Sequence, residues 1–262
     1  MFINIALVLV LCLLALAVNK LLRDRMERKQ RGLFRPWPVP VVNLDMIDPV
    51  FTRDELGPTR ATEIHFISGG ERGVPGGTSD LEAWILAVLA KQAGEMFEFG
   101  TCTGRTTWLW ARNSGVDARI HTLTLPPEGL DHYQAGAGDD AASTATAKGE
   151  SVFTRFLYSG IPEEARIEQL YGDSKAFDES PYLGRCDLIF IDGSHAFSYI
   201  KSDTEKALAM LRPGGLLLWH DYRGPRRARD VYRYLNQLVI GMPLMHIRNT
   251  SLVAFRKPRK QA

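Results

Sequence analysis

The sequence predicts an open, doubly wound α/β domain behind an N-terminal apolar helix. Three observations carry that expectation. Apolar runs ending in glycine or acidic turns are followed by helical periodicity around 96–112 and 188–211; a glycine turn, Gly100 to Gly104, opens directly off the first run; and residues 2–18 are almost wholly aliphatic. Strand, turn and helix in that order wind a parallel sheet, and ligands collect at the carboxyl ends of its strands.

The apolar N-terminus, Phe2 to Val18, is interrupted only by Asn4 and continues past Lys20 to Leu21 and Leu22. About 20 helical residues cross a bilayer core, so residues 1–22 are long enough for a transmembrane anchor if Lys20 snorkels. A cleaved signal peptide is the alternative, with Ala15-Leu16-Ala17 as its cleavage site. No Lys or Arg precedes the run, whereas Lys20, Arg23, Arg25, Arg28, Lys29 and Arg31 follow it. That asymmetry favours an uncleaved anchor holding the rest of the chain in the cytoplasm. Residues 23–60 turn from basic to proline-rich, with Pro36, Pro38, Pro40, Pro49 and Pro58 and no sustained period, and read as a juxtamembrane linker. The main domain is then 61–258.

At 262 residues, 45% hydrophobic and 24% charged, the chain suffices for one α/β domain plus an appendage. A formal net charge of +2 makes no global electrostatic case for a nucleic-acid partner. Cys12, Cys102 and Cys186 form neither a disulfide framework nor a zinc pattern, as expected in a reducing compartment.

Within the domain, Glu63 to Ile67 reads as a short strand. Ser79-Asp80-Leu81-Glu82 is a capping box, and Leu81, Trp84, Ile85, Val88 and Leu89 follow at helical spacing. Met96 to Phe99 is a strand, Gly100 to Gly104 a turn and Arg105 to Arg112 a helix. Arg119 to Leu125 is the next strand. Residues 126–150, rich in Gly, Ala, Ser, Thr and Asp without a period, read as a long loop, either a lid over substrate or an insertion. Val152 to Tyr158 is helix-like, and Arg166 to Tyr171 is a strand ending in Gly172-Asp173-Ser174. The continuous apolar run Leu188 to Ile191 fits a central parallel strand that delivers Asp192 and His195 to the sheet's edge. A helix from Phe197 to Leu211 follows, then Arg212-Pro213-Gly214-Gly215, a strand Leu216 to Trp219, and His220-Asp221-Tyr222. Arg223, Arg226, Arg227, Arg229 and Arg233 surround one more helix, and Leu244 to Arg248 with Leu252 to Arg256 reads as a closing hairpin.

The turn has two glycines where a dinucleotide fingerprint needs three, so a nicotinamide or flavin oxidoreductase is poorly matched. Instead E-F-G-T-x-T-G-R-T-T, followed by D-G-S-H, L-R-P-G-G and H-D-Y, resembles class I S-adenosylmethionine-dependent methyltransferases over residues 79–256. The resemblance implies a Rossmann-like, mostly parallel seven-stranded sheet with an antiparallel C-terminal hairpin. It also implies that Gly100, Thr101 and Gly104 form the cofactor turn, with Glu98 fixing it and the cofactor's amino end. Asp173 and Ser174 would stand near the adenine, and Asp192 beside the cofactor's reactive end. In this family an acid normally ends the second strand and binds the ribose hydroxyls; here Thr124 occupies that position.

A sulfonium methyl is already electrophilic, so the protein's task is to align a hydroxyl acceptor and help remove its proton. Some metal-dependent O-methyltransferases of sugars and antibiotics resemble this chain in having an Asp after the fourth strand, a His three residues later as base, and an acidic pair after the fifth. That resemblance implies Asp192, His195 and Asp221 as catalytic residues. It also implies Asp192, Asp221 and His220 as ligands of Mg²⁺ or another divalent cation, His220 replacing the first acid of the pair. The expected activity is O-methylation of a sugar, a lipid-linked glycan or another small acceptor. A catalytically silent, membrane-tethered cofactor-binding module is the alternative.

Overall fold

The computed structural model describes residues 2–28, 37–70 and 77–259. The chain divides into two compact units, Met1–Pro38 and Val39–Ala262. In the first, the aliphatic run forms one helix, α1 (Phe2–Arg28), with Leu13, Leu16 and Leu21 each at least 65% exposed. Side chains of α1 are described at 7 and 10–23, and among the described residues no helix is long and apolar enough to cross a membrane.

The second unit is built on one eight-stranded sheet. Its parallel part runs in the order β6 (Ile167–Tyr171), β5 (Arg119–Thr124), β4 (Glu95–Phe99), β7 (Cys186–Ile191), β8 (Leu211–Trp219). Then β10 (Val253–Arg256) pairs antiparallel to β8 and to β9 (Met245–Ile247), as the hairpin pattern requires. The strand order reverses between β4 and β7, which places a crevice at their carboxyl ends.

One strand more than the expected seven is present. Val41–Val42 forms β1, which adds in parallel to β9. Its neighbours Val39, Ile47, Val50 and Phe51 are buried, and Arg256 bonds the Ile47 carbonyl and the Asp48 carboxylate at 2.7 Å each. The compact unit therefore begins at Val39, inside the stretch read as linker. Its prolines suppress any period, but its apolar residues fill the core singly, between turns such as Pro49–Phe51, where Asp48 accepts from the Val50 amide. A short ribbon, β2 (Arg53–Asp54) with β3 (Gly57–Pro58), follows.

Residues 63–67 are not a strand. His65 exchanges backbone bonds with the Asn113 side chain and Arg105 bonds the Ile67 carbonyl, so side chains of a helix satisfy this backbone. Helix α2 (Asp80–Ala90) starts at the expected capping box, and α3 (Arg105–Asn113) at the glycine turn. Ile85, Leu86, Val88 and Trp110 pack with Met96, Ile120, Leu188, Phe190 and Leu218 on one face of the sheet. Helix α5 (Phe197–Met210) contacts β7 and β8 and packs with α6 (Arg229–Leu238); the Trp219 indole donates to Thr204 of α5.

The stretch 126–150 is ordered rather than a loop. It contains a turn of 3₁₀ helix (Pro127–His132) and α4 (Ala141–Glu150), N-capped by Asp140. Its small polar residues carry no apolar stripe because only Ser143 and Ala147 are buried. Residues 152–158 form turns instead of a helix, tied by the Leu157 amide to the Thr103 carbonyl.

Glu82 joins distant parts of this fold. One oxygen accepts from the Ser79 amide and hydroxyl, the other from the amide and hydroxyl of Ser251, at 2.6–2.9 Å. Burial alone would raise its pKa. The hydrogen bond and positive charge of His220, with Ser79 and Ser251, outweigh that and hold the carboxyl far below its ordinary 4.5. Its contribution to stability is thus complete above pH 4.5 and is lost as the pH falls through the lower folded-state value.

Two predictions follow from this packing. Glu82→Ala, which strips a buried partner from His220 and Ser251, is expected to destabilise by about 3–5 kcal/mol in denaturant titration; Glu82→Gln is expected to flatten the acid-side fall of Tm. At Gly100 an added Cβ would lie 2.3 Å from the Asp192 carbonyl oxygen, so Gly100→Ala is expected to cost about 2–4 kcal/mol. Gly193→Ala, whose new carbon meets nothing closer than 3.5 Å, is the control and is expected to stay within about 1 kcal/mol of the parent.

Candidate active site

The carboxyl ends of β4, β5 and β7 are fastened to one another. Gly100 donates to the Leu123 carbonyl and Asp192 to the Phe99 carbonyl, each at 2.8 Å. Gly100 adopts φ 100° and its missing side chain lets the 192–193 backbone lie against it. Gly104, at φ 76°, begins α3 in the left-handed conformation, beneath the stacked rings of Phe156 and Tyr158.

Glu98 lies behind this turn. It is buried and accepts from the hydroxyls of Thr107 and Thr122, and Thr122 in turn meets Thr101 at 2.8 Å. Burial, with the Asp192 charge adding to it and the threonine bonds opposing it, pushes the Glu98 carboxyl up to about 8. It is therefore mostly protonated at neutral pH, holding β4, β5 and α3 together without a buried charge.

In front of the turn is an open cavity. Of the residues expected to bind cofactor, Gly100, Thr124, Asp173, Ser174 and Asp192 line it, whereas Glu98, Thr101 and Gly104 support the turn from behind. Cys102, Tyr133, Glu150, Tyr199 and Asp203 also line it, and the sequence did not single them out. Tyr133 and Tyr199 stack at 4.5 Å; Tyr133 bonds Ser194, and Tyr199 donates to Asp173. The 126–150 segment thus forms one wall of the cavity. Thr124 ends β5 facing it, with its carbonyl accepting from the Gly172 amide.

Asp192 marks the passage from this cavity to a cluster of titratable groups. His195 Nε2 lies 2.7 Å from Asp221 Oδ2, and Arg223 Nε 2.6 Å from Asp221 Oδ1. His220 Nδ1 lies 2.8 Å from Asp192 Oδ1 and 3.4 Å from Asp221 Oδ2, while its Nε2 is 3.4 Å from Glu82. Asp221 is held at φ 60°, an uncommon conformation for a residue with a side chain.

Burial disfavours the charged form of every member, and the mutual contacts decide the outcome. Asp192 and Asp221 keep His220 well above its ordinary 6.5 against its own burial. His220 and His195 hold Asp221 well below 3.8, whereas burial leaves Asp192 raised despite His220. His195 is raised, its own burial being overcome by Asp221. His220 is thus a buried imidazolium with both ring nitrogens facing carboxylates.

Donor atoms of Asp192, His195 and Asp221 all lie within 4.8 Å of one another, close enough to hold one cation. The sequence reading put His220 among the ligands and His195 outside them; the geometry gathers His195 with the two aspartates, while His220 pairs its two ring nitrogens with Asp192 and Glu82. One imidazole and two carboxylates suit a divalent transition metal better than Mg²⁺, which prefers an all-oxygen shell. Glu150, the last residue of α4, borders both the cavity in front of the glycine turn and a second cleft beside His195 and Asp221. Burial, reinforced by Asp192 and Asp221 and opposed by His195, pushes it up to about 7. It was missed because it ends a segment without periodicity; its only sequence signal is the Asp140 cap ten residues earlier.

Residues 97–222 match the model of a protein family described as a methyltransferase domain. No curated protein matches the chain. Among solved structures it is similar to the O-methyltransferase TomG from Streptomyces achromogenes, involved in tomaymycin synthesis and solved with S-adenosylmethionine. Identity is 20%, over 69% of this chain and 82% of that one, with a TM-score of 0.44. A Podospora anserina methyltransferase bound to S-adenosylhomocysteine is 17% identical over 71% and 81% of the two chains, with a TM-score of 0.47. A Bacillus cereus O-methyltransferase, also with S-adenosylhomocysteine, is 17% identical over 70% and 84%, with a TM-score of 0.44. The matched span begins in β4 and ends just past Asp221, enclosing the glycine turn, D-G-S-H and P-G-G. The chain thus carries, over 126 of its 262 residues, a match to a methyltransferase domain.

Proposed function

We propose that the protein transfers the methyl group of S-adenosylmethionine to a hydroxyl of a small or lipid-linked acceptor, a sugar among the candidates, with His195 taking up the proton. The observation that carries this reading is the meeting of Asp192, His195 and Asp221 where the cofactor cavity adjoins the second cleft. Bound S-adenosylmethionine supplies an electrophilic methyl carbon. The protein's part is to present the acceptor oxygen in line with it and to deprotonate that oxygen. Asp221 Oδ2 fixes the ring of His195 through Nε2, and Arg223 and His220 fix Asp221 in turn. The tyrosine stack and Asp173 give the cofactor cavity a flat aromatic wall with an acceptor beside it.

Asp192, His195 and Asp221 would be the ligands of a divalent cation, which when bound lowers the pKa of a coordinated hydroxyl. With no cation bound, His195 must be neutral to act as base. Because its folded-state pKa lies above 6.5, the neutral form accumulates only as the pH rises beyond that value. The acidic limb of the rate profile is therefore expected above pH 6.5. His195→Ala is expected to lower kcat by about 10²–10⁴-fold with S-adenosylmethionine affinity retained in calorimetry; unchanged turnover would exclude the assignment.

We further propose that α1 tethers the protein to a membrane with the catalytic unit on the cytoplasmic side. Support comes from the aliphatic run 5–18 and the cations at 20, 23, 25, 28, 29 and 31 that follow it. The full chain is expected to float with phospholipid vesicles in a density gradient and the chain lacking residues 1–28 to stay at the bottom. Equal flotation of the two rules out the tether.

A further inference from the structure

The second cleft has a chemically uneven lining. Its inner end is the titratable cluster: His220 and Asp221, which are buried, with the partly buried His195 and Glu150. Its exposed end is basic, formed by Arg223, 43% exposed, and Arg227, which is also exposed.

The charges at the inner end are already matched. Asp221 faces His195 and Arg223, and Asp192 behind it faces His220. Arg227 has no ion pair or side-chain hydrogen bond among the described residues. Arg223 is held at the cleft by its ion pair with Asp221, on the Nε edge of the guanidinium. A guanidinium fixed by one edge, next to an unpaired one, makes a fork for a planar or tetrahedral oxyanion. Arg229 lies close by in sequence and is exposed, adding to the positive potential there. Arg223 and Arg227 are exposed residues of a half-buried segment between β8 and α6, and Arg229 is the exposed first residue of α6.

We propose that the hydroxyl acceptor carries an oxyanion, a carboxylate or phosphate, which Arg227 and Arg223 receive at the open end of the cleft while the hydroxyl reaches His195 at the inner end. This deepens the hydroxyl-methylation reading and rests on it. The anion sets which acceptors enter and orients them; Arg227 is a specificity determinant, not a catalytic residue.

The test is calorimetry on the full chain loaded with S-adenosylhomocysteine, titrated with catechol, with 3,4-dihydroxybenzoate and with inorganic phosphate. The carboxylate-bearing catechol is expected to bind at least about tenfold more tightly than catechol, and phosphate to compete with it. Arg227→Glu is expected to erase the preference and the competition, and Arg227→Lys to keep most of both, with S-adenosylhomocysteine affinity unchanged throughout. Equal affinity for the two catechols, no binding of the carboxylate-bearing one, or a preference surviving in Arg227→Glu each overturns the proposal. Labelled S-adenosylmethionine supplied with the same compounds separates the two readings: anion preference without methyl transfer to either hydroxyl counts against the proposed reaction and leaves the anion site standing.

Discussion

His220 is the cation on which the site depends. Its ring is buried, and the carboxylates of Asp192, Asp221 and Glu82 face it from three elements. Three acids brought this close would otherwise repel one another and resist burial, and one would protonate or swing away. The imidazolium makes their proximity tolerable and sets their order: Asp221 is held ionised, and Asp192 remains the member most easily protonated. The arrangement therefore arrives charged and pre-oriented, without waiting for a ligand to assemble it.

Through Glu82 the same network reaches the fold. A residue that begins α2 as a helix cap also grips the turn between β9 and β10 and the histidine at the end of β8. The helix start, the C-terminal hairpin and the strand end that carries His220 are thus one hydrogen-bonded unit. Gly100 adds a second fastening, where the cofactor turn touches the backbone that carries Asp192. Between them these two contacts fix the distance from cofactor cavity to reactive cluster.

The fold and the cluster differ in how much of them the sequence discloses. Strands such as Leu188 to Ile191 are legible because burial on both faces demands an unbroken apolar run, and Ser79 to Glu82 because a cap has a fixed spacing. Asp192, His195 and Asp221 are legible for the same reason, since strand ends deliver them to one edge. What could not be read is anything set by long-range pairing. Glu82 appears locally as a cap, and nothing near it in sequence announces His220 or Ser251. The strand at Val41–Val42 is two residues long and gains its partner more than 200 positions away. Glu150 ends a helix whose exposed, alanine-rich surface gives no period. His220 looked like a ligand because its position in the resembled family carries an acid; only the surrounding carboxylates reveal that its nitrogens are occupied.

The short strand β1 has a consequence for where this catalytic unit can be cut. Val41 and Val42 cover the outer rim of β9, and a rim left bare offers unpaired amide and carbonyl groups to any passing strand. The residues that shield it stand at the start of the compact unit, just after the segment that follows α1. Where the chain is cut is thus a question of a few residues: one beginning at or before Val39 keeps the two-residue β1 as the rim of the sheet, whereas one beginning beyond Val42 leaves the longer β9 as a bare edge.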